Sequence, residues 1–116
     1  MEQLVTTHLV KDFDIGVHGN LYGGRMLDWL DEAGALYVHD LFNEEVFVTW
    51  KFGETIFHKS VKKMSIVKIY VKNPDIRNSS IGFEAVAKVG DEEVLTTSMV
   101  FVCVDPATGK KKAIGK

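Results

Sequence analysis

A single cysteine, Cys103, in 116 residues leaves no partner for an internal disulfide and fits a reducing compartment. No apolar run approaches the roughly 20 residues a membrane-spanning helix needs, so no membrane association is expected. No apolar core follows a basic flank near the first residues, and no export signal is expected. A cytoplasmic location follows. Charge of one sign is scarce too: 14 basic and 16 acidic side chains leave a net charge of −2. That removes any general case for nucleic acid or an anionic surface as partner. Neither G-x-x-x-x-G-K-[ST] nor G-x-G-x-x-G occurs, so nucleotide hydrolysis and dinucleotide redox are unsupported. The four histidines, His8, His18, His39 and His58, lack metal-ligand spacing, and no metal is expected.

What is there is an ordinary globular composition, 46% hydrophobic and 26% charged. The length suits a single domain over 1–116 with its own core. Its organising stretch is Ile15 to Phe42. A loop rich in glycine (Gly16, Gly19, Gly23, Gly24) leads into a proline-free run with apolar positions three and four apart, the mark of an amphipathic helix. At about 100° per residue, Met26, Leu30, Ala33, Gly34, Tyr37 and Leu41 share one side, flanked by Leu27 and Val38. Arg25, Asp28, Glu32 and His39 oppose them on a solvated face. Asp31 belongs to neither group: it stands at the edge of the buried stripe, about two turns in from the glycines. Gly34 and Ala33 allow close packing on a sheet.

The rest of the chain alternates as strands do. A short strand over Thr6–Lys11 precedes the helix. Val46–Phe52 follows it, and Gly53–Ser60 reads as a connector. Val61–Lys72 is a strand closed by a turn at Asn73-Pro74-Asp75. Ile81–Val89 and Val94–Val104 are joined by a hairpin at Gly90-Asp91-Glu92, and a lysine-rich tail closes the sequence. The class is α+β, one antiparallel five-stranded sheet with one dominant helix. One helix covers only one face of such a sheet. Val86, Met99 and Phe101 also make both faces apolar in places, so a homodimer at least is expected, with sites built between subunits.

The run HGNLYGGRMLDWLDEAGALY resembles the hot-dog fold thioesterases that act on acyl-CoA, in particular the short bacterial acyl-CoA hydrolases. In that family a loop of the form N-x-x-G-x-x-F/Y-G-G enters a helix carrying W-M/L-D-E-A. Gly19, Tyr22, Gly23, Gly24, Trp29, Leu30, Asp31, Glu32 and Ala33 occupy those places. Val48-Thr49 with the later Phe57, Asn78-Ser79-Ser80, and Phe101-Val102-Cys103-Val104-Asp105 match further family segments in order. Three positions depart from the pattern. Gly16 stands where the family has an asparagine, Lys63-Met64-Ser65 replaces a Gly-Asp, and Arg77 replaces a glycine. The resemblance implies a hot-dog fold, with the sheet wrapped around a long central helix, and an oligomer built from dimers, up to a tetramer or hexamer. No cofactor is implied, since CoA is part of the substrate.

Thioester hydrolysis needs an attacking oxygen and donors for the oxyanion that develops. Backbone N–H groups of Gly23 and Gly24 at a helix N-terminus suit the second task. Asp31 suits the first, as general base on water or as nucleophile. Thr49 is placed to orient the water or the carboxylate, and His18 is a further candidate in the loop. CoA phosphates call for cations or free N–H groups. Arg77, Asn78, Ser79 and Ser80 form one candidate set, and Lys110, Lys111 and Lys112 another, although such a run is usually a solvated tail. Two alternatives stand beside hydrolysis. A hydratase or dehydratase on acyl thioesters would pair His18 with Asp31, but the motifs of the acyl-carrier dehydratases are absent. A sensor would bind acyl-CoA without turning it over.

Overall fold

The spacing of Met26, Leu30, Ala33, Gly34 and Tyr37 produces the expected helix. In the computed structural model, which describes residues 2–115, α1 spans Gly23–Leu41 and buries those five residues with Val38. The other elements are β1 (Gln3–Leu9), a 3-10 turn (Asp12–Asp14), β2 (Val46–Phe52), β3 (Ile56–Phe57), β4 (Ile66–Ile76), β5 (Ser80–Val89) and β6 (Glu92–Val104). All the pairings are antiparallel, in the order β1-β4-β5-β6-β2, and β3 continues along β6 where β2 has ended. A flat sheet of five strands spaced about 4.8 Å is wider than a helix about 10 Å across. Yet α1 touches both edge strands, β1 and β2, as well as β4 and β6. The sheet is curled around the helix.

Several details differ from the sequence reading, and β4 starts at Ile66 where the alternation suggests Val61. The first strand lies earlier, at Gln3–Leu9. The connector after β2 contains the short strand β3, so a sixth strand joins the expected five. Asn73-Pro74-Asp75 is not a turn: β4 runs through it with a bulge between Lys72 and Asp75. Asn73 takes up the irregularity at φ +54°, and a bulge removes the need for the amide hydrogen that Pro74 lacks. The reversal falls instead at Arg77–Ser80, where the Arg77 amide donates to the Ser80 carbonyl at 2.8 Å. Finally, Leu41 and Leu27 are exposed, because the curl of the sheet covers a narrower stripe than the wheel suggested.

The core lies between α1 and the concave face: Met26, Leu30 and Tyr37 meet Val67, Ile69, Ile81, Phe83, Leu95 and Phe101. Tyr37 meets Phe83 edge-on at 5.1 Å, and Phe83 stacks on Phe101 at 5.9 Å. Cys103 is fully buried there, and burial pushes its thiol pKa upward, as befits a core residue. The helix lies closest to the sheet at Gly34. A Cβ built on Gly34 would stand 2.6 Å from Cε1 and 2.8 Å from Cζ of Phe101.

The lysine-rich tail is not wholly solvated. After the turn at Asp105–Gly109 the chain folds back, and the Lys112 amide donates to the Cys103 carbonyl at 2.9 Å. The Lys112 ammonium meets Glu45 Oε1 at 2.5 Å, and the Gly115 amide donates to Glu45 Oε2. Lys110 and Lys111 remain exposed.

Two predictions follow from this packing. In Gly34→Ala, overpacking against the stacked Phe101 outweighs the better helix propensity of alanine, for a net loss of about 1–2 kcal/mol. Denaturant unfolding checks it, and an unchanged or raised midpoint would contradict the close approach. The second concerns acid. The hydrogen bond from Lys112 holds the Glu45 carboxyl below its ordinary 4.5. Glu45 therefore contributes stability above that pH and loses it as pH falls through the lowered value. Glu45→Gln should lower Tm at neutral pH, and the difference should shrink as the solution is acidified below pH 4.5; a difference that does not change with pH would contradict the pairing.

Candidate active site

The glycine loop reaches α1 through a buried carboxylate. Asp14, only 1% exposed, accepts the Lys11 amide at 2.9 Å. Its other oxygen lies 3.1 Å from Arg25 Nε, in the first turn of α1. The Asp14 carbonyl in turn accepts the Tyr22 amide at 3.2 Å. Tyr22 is the N-cap and offers no side-chain cap. The Arg25 and Met26 amides turn back to the Tyr22 carbonyl. The amides of Gly23 and Gly24 find no partner among the described residues, leaving two donors at the positive end of the helix dipole.

Gly23 also lines a cavity of about 420 Å³. His18 and Asn20 stand on its loop side, and His58, Lys59 and Ser60 on the other. Its floor is apolar: Leu21, Met26, Val61 and Val94. Gly23 forms part of the wall, with the Phe57 ring 3.4 Å from where a Cβ would stand. His18 itself is exposed and makes no hydrogen bond or ion pair with Asp31 among the described residues.

Two turns on, Asp31 is half-buried at the edge of the stripe. The Thr49 hydroxyl donates to Asp31 Oδ1 at 2.5 Å. Thr49 reaches it because it pairs with Phe101 on the concave side of β2, just before a bulge at Trp50. The outer edge of β2 pairs with no strand among the described residues. Val48 and Trp50 beside it are exposed apolar residues.

The Arg77–Ser80 turn lies at this second end of the sheet, since Ser80 pairs with Val102. Arg77 Nε is held at 2.9 Å by Asp75. The Asn78 and Ser79 carbonyls accept the Ile114 and Cys103 amides, both at 2.8 Å. The set thus ties down the tail as well as offering exposed polar groups. Val94, on the cavity floor, and Val102 are separated along β6 by roughly 27 Å at about 3.4 Å per residue. The candidate residues fall into two groups: Gly23 and His18 line the cavity with Gly24 next in the chain, and Asp31, Thr49 and Arg77–Ser80 lie away from it. The helix rise of 1.5 Å per residue sets the Gly24 and Asp31 positions roughly 10 Å apart along the axis.

The sequence reading did not single out His58, Lys59, Ser60, Met26 or Val94 as site residues. Only the pairing of β3 with β6 carries that segment to the helix start. It also missed His8, which stacks on Trp29 at 4.4 Å with its Nε2 buried and without a hydrogen-bond partner among the described residues. Burial pushes its imidazole pKa down.

No family model and no curated protein matches the chain. Solved structures do. A hexameric thioesterase from Yersinia pestis superposes with a TM-score of 0.88 at 23% identity, covering 98% of this chain and 96% of its own. A hexameric hotdog fold thioesterase of Campylobacter jejuni superposes at 0.83 and 24%, covering 97% and 90%. The fold is the hot-dog fold. An acyl-CoA hydrolase from Staphylococcus aureus, solved with butyryl coenzyme A and coenzyme A, shares it at 0.82 and 20%, covering 97% of this chain and 68% of its own. Asp14 ties the loop of this chain to the first turn of α1. Asp14→Ala should cost about 2–3 kcal/mol, below the full penalty for a broken buried pair because Arg25 is partly exposed. Thermal unfolding checks this, and a loss under 0.5 kcal/mol, roughly the surface-mutation range, would contradict it.

Proposed function

We propose that the protein is an acyl-CoA thioesterase, working as a homo-oligomer built from dimers, and a hexamer like its structural neighbours. The observation that carries the proposal is the Asp31–Thr49 hydrogen bond at the unpaired edge of β2, in a chain that shares its fold with named thioesterases. The neutral Thr49 hydroxyl fixes one carboxylate oxygen and leaves the other to accept a proton.

On this reading a water, deprotonated by Asp31, attacks the thioester carbonyl carbon. The oxyanion takes hydrogen bonds from the Gly23 and Gly24 amides. When the C–S bond breaks, the proton held by Asp31 passes to the departing CoA sulfur, and the free acid leaves. Direct attack by Asp31, with an anhydride then hydrolysed by water, uses the same groups. Roughly 10 Å of helix separates base from amides within one chain, too far for both to touch one carbonyl. The reacting carbonyl is therefore assigned to a groove between two protomers, with the amides of one and the Asp31–Thr49 pair of the other. A two-fold pairing of β2 edges would bury the exposed Val48 and Trp50 and create such grooves in pairs.

The Arg77, Asn78, Ser79 and Ser80 turn remains the proposed contact for the CoA phosphates. It lies on the Asp31 side and so acts with the base of its own protomer. His18 belongs to the cavity, and a hydratase pairing of His18 with Asp31 has no contact in its favour.

The test is thiol release from acyl-CoAs of short, long and aromatic acyl groups. Asp31→Asn should lower kcat by roughly 10²–10⁴ with the fold intact, and Thr49→Val should lower it less. Undiminished turnover in Asp31→Asn would remove Asp31 from the mechanism. Tight binding without thiol release by the wild type would make the protein a sensor.

A further inference from the structure

We infer that the cavity under the glycine loop is the acyl-chain pocket, that Phe57 forms its wall at the thioester end, and that Met26 sets its depth. The inference rests on the thioesterase reading for its substrate and on the cavity for its geometry. Phe57 pairs with Leu95, which is fully buried on the concave side of the sheet. The ring thus points toward the helix side, yet it is 51% exposed. A core-facing aromatic left half bare beside a cavity lacks the apolar group that would cover it.

The chemistry of the wall identifies that group. Leu21, Met26, Val61 and Val94 make the floor apolar, and among the described residues no carboxylate lines the cavity. Every polar lining side chain stands toward the 16–22 loop or the 58–60 segment, and Lys59 is already paired with Glu92. A floor without hydrogen-bonding groups takes a hydrocarbon and leaves a buried polar terminus unsatisfied. Because Gly23 forms part of the same wall, a carbonyl held by its amide would direct its acyl chain past Phe57 toward Met26. The volume of about 420 Å³ bounds the aliphatic chain at about fourteen carbons, taking about 30 Å³ per methylene as for a water.

The test uses non-hydrolysable alkyl-CoA thioethers of two to sixteen carbons, titrated calorimetrically into the whole protein, with thiol release from the matching acyl-CoAs measured in parallel. For the wild type, affinity should rise with each methylene, by up to about fourfold, and level off by about fourteen carbons. Phe57→Ala should weaken the longer thioethers at least tenfold and leave free CoA unchanged. Met26→Ala should move the plateau to longer chains. Because Phe57 is half exposed, its variant keeps the fold if Met26→Ala does not. Affinity independent of chain length, or an equal effect of Phe57→Ala on free CoA and on long thioethers, would overturn the pocket. A chain-length plateau without thiol release would retain the pocket and defeat the thioesterase reading. Thiol release with no chain-length dependence in binding would do the reverse.

Discussion

The approach of α1 to β6 at Gly34 is the contact on which the rest of the molecule depends. Any side chain there would meet the Phe101 ring, which is itself fixed by its stack on Phe83. Asp31 lies one turn before Gly34 on a neighbouring face of the helix, and Thr49 is the cross-strand partner of Phe101. Seating Gly34 on Phe101 therefore brings the Asp31 carboxylate to the Thr49 hydroxyl. A core contact and a chemical contact are the same adjustment seen from two sides.

The second constraint is the direction of the helix along the sheet. Its N-terminus, with two amides unpartnered among the described residues, sits over the end of β6 that carries Val94, while Asp31 and the Arg77–Ser80 turn lie toward the other end. On the proposed reading, a single chain offers a place for an acyl chain and an oxyanion at one end, and a base with polar anchoring groups at the other. In that proposal the edge of β2, unpaired among the described residues and with exposed apolar residues beside it, is the surface by which two such chains complement each other. Asp14 serves this arrangement from within: a buried carboxylate offsets Arg25, a cation that would otherwise oppose the helix dipole at the wrong end.

Much of this was legible in the residues. The helix, its buried stripe and the marginal position of Asp31 follow from periodicity alone, because 3.6-residue spacing is insensitive to tertiary context over a run that long. The strand Val46–Phe52 and the hairpin at Gly90-Asp91 were equally plain. Pro74 misled because a proline punctuates most strands, and only the bulge before Asp75 lets it stay inside β4. The cavity was hidden for a different reason. Gly23, Met26, Phe57 and Val94 are scattered along the chain, and a strand of two residues, too short to carry any alternation, brings Phe57 to the helix. His18 looked like a partner for Asp31 because sequence distance on a helix does not reveal which end of a sheet each residue faces.

The central claim is that each reaction site takes its amides from one protomer and its carboxylate from another, and subunit mixing tests it most directly. Gly23→Pro removes one amide at the first helical position, where proline is best tolerated, and Asp31→Asn removes the base. Each variant alone should be nearly inactive. If the site is shared, refolding them together should restore about a quarter of wild-type thiol release, since half the dimers are mixed and each holds one intact site. Mixtures that stay as inactive as the separate variants, while forming mixed dimers, would place the whole site in one chain and contradict the account.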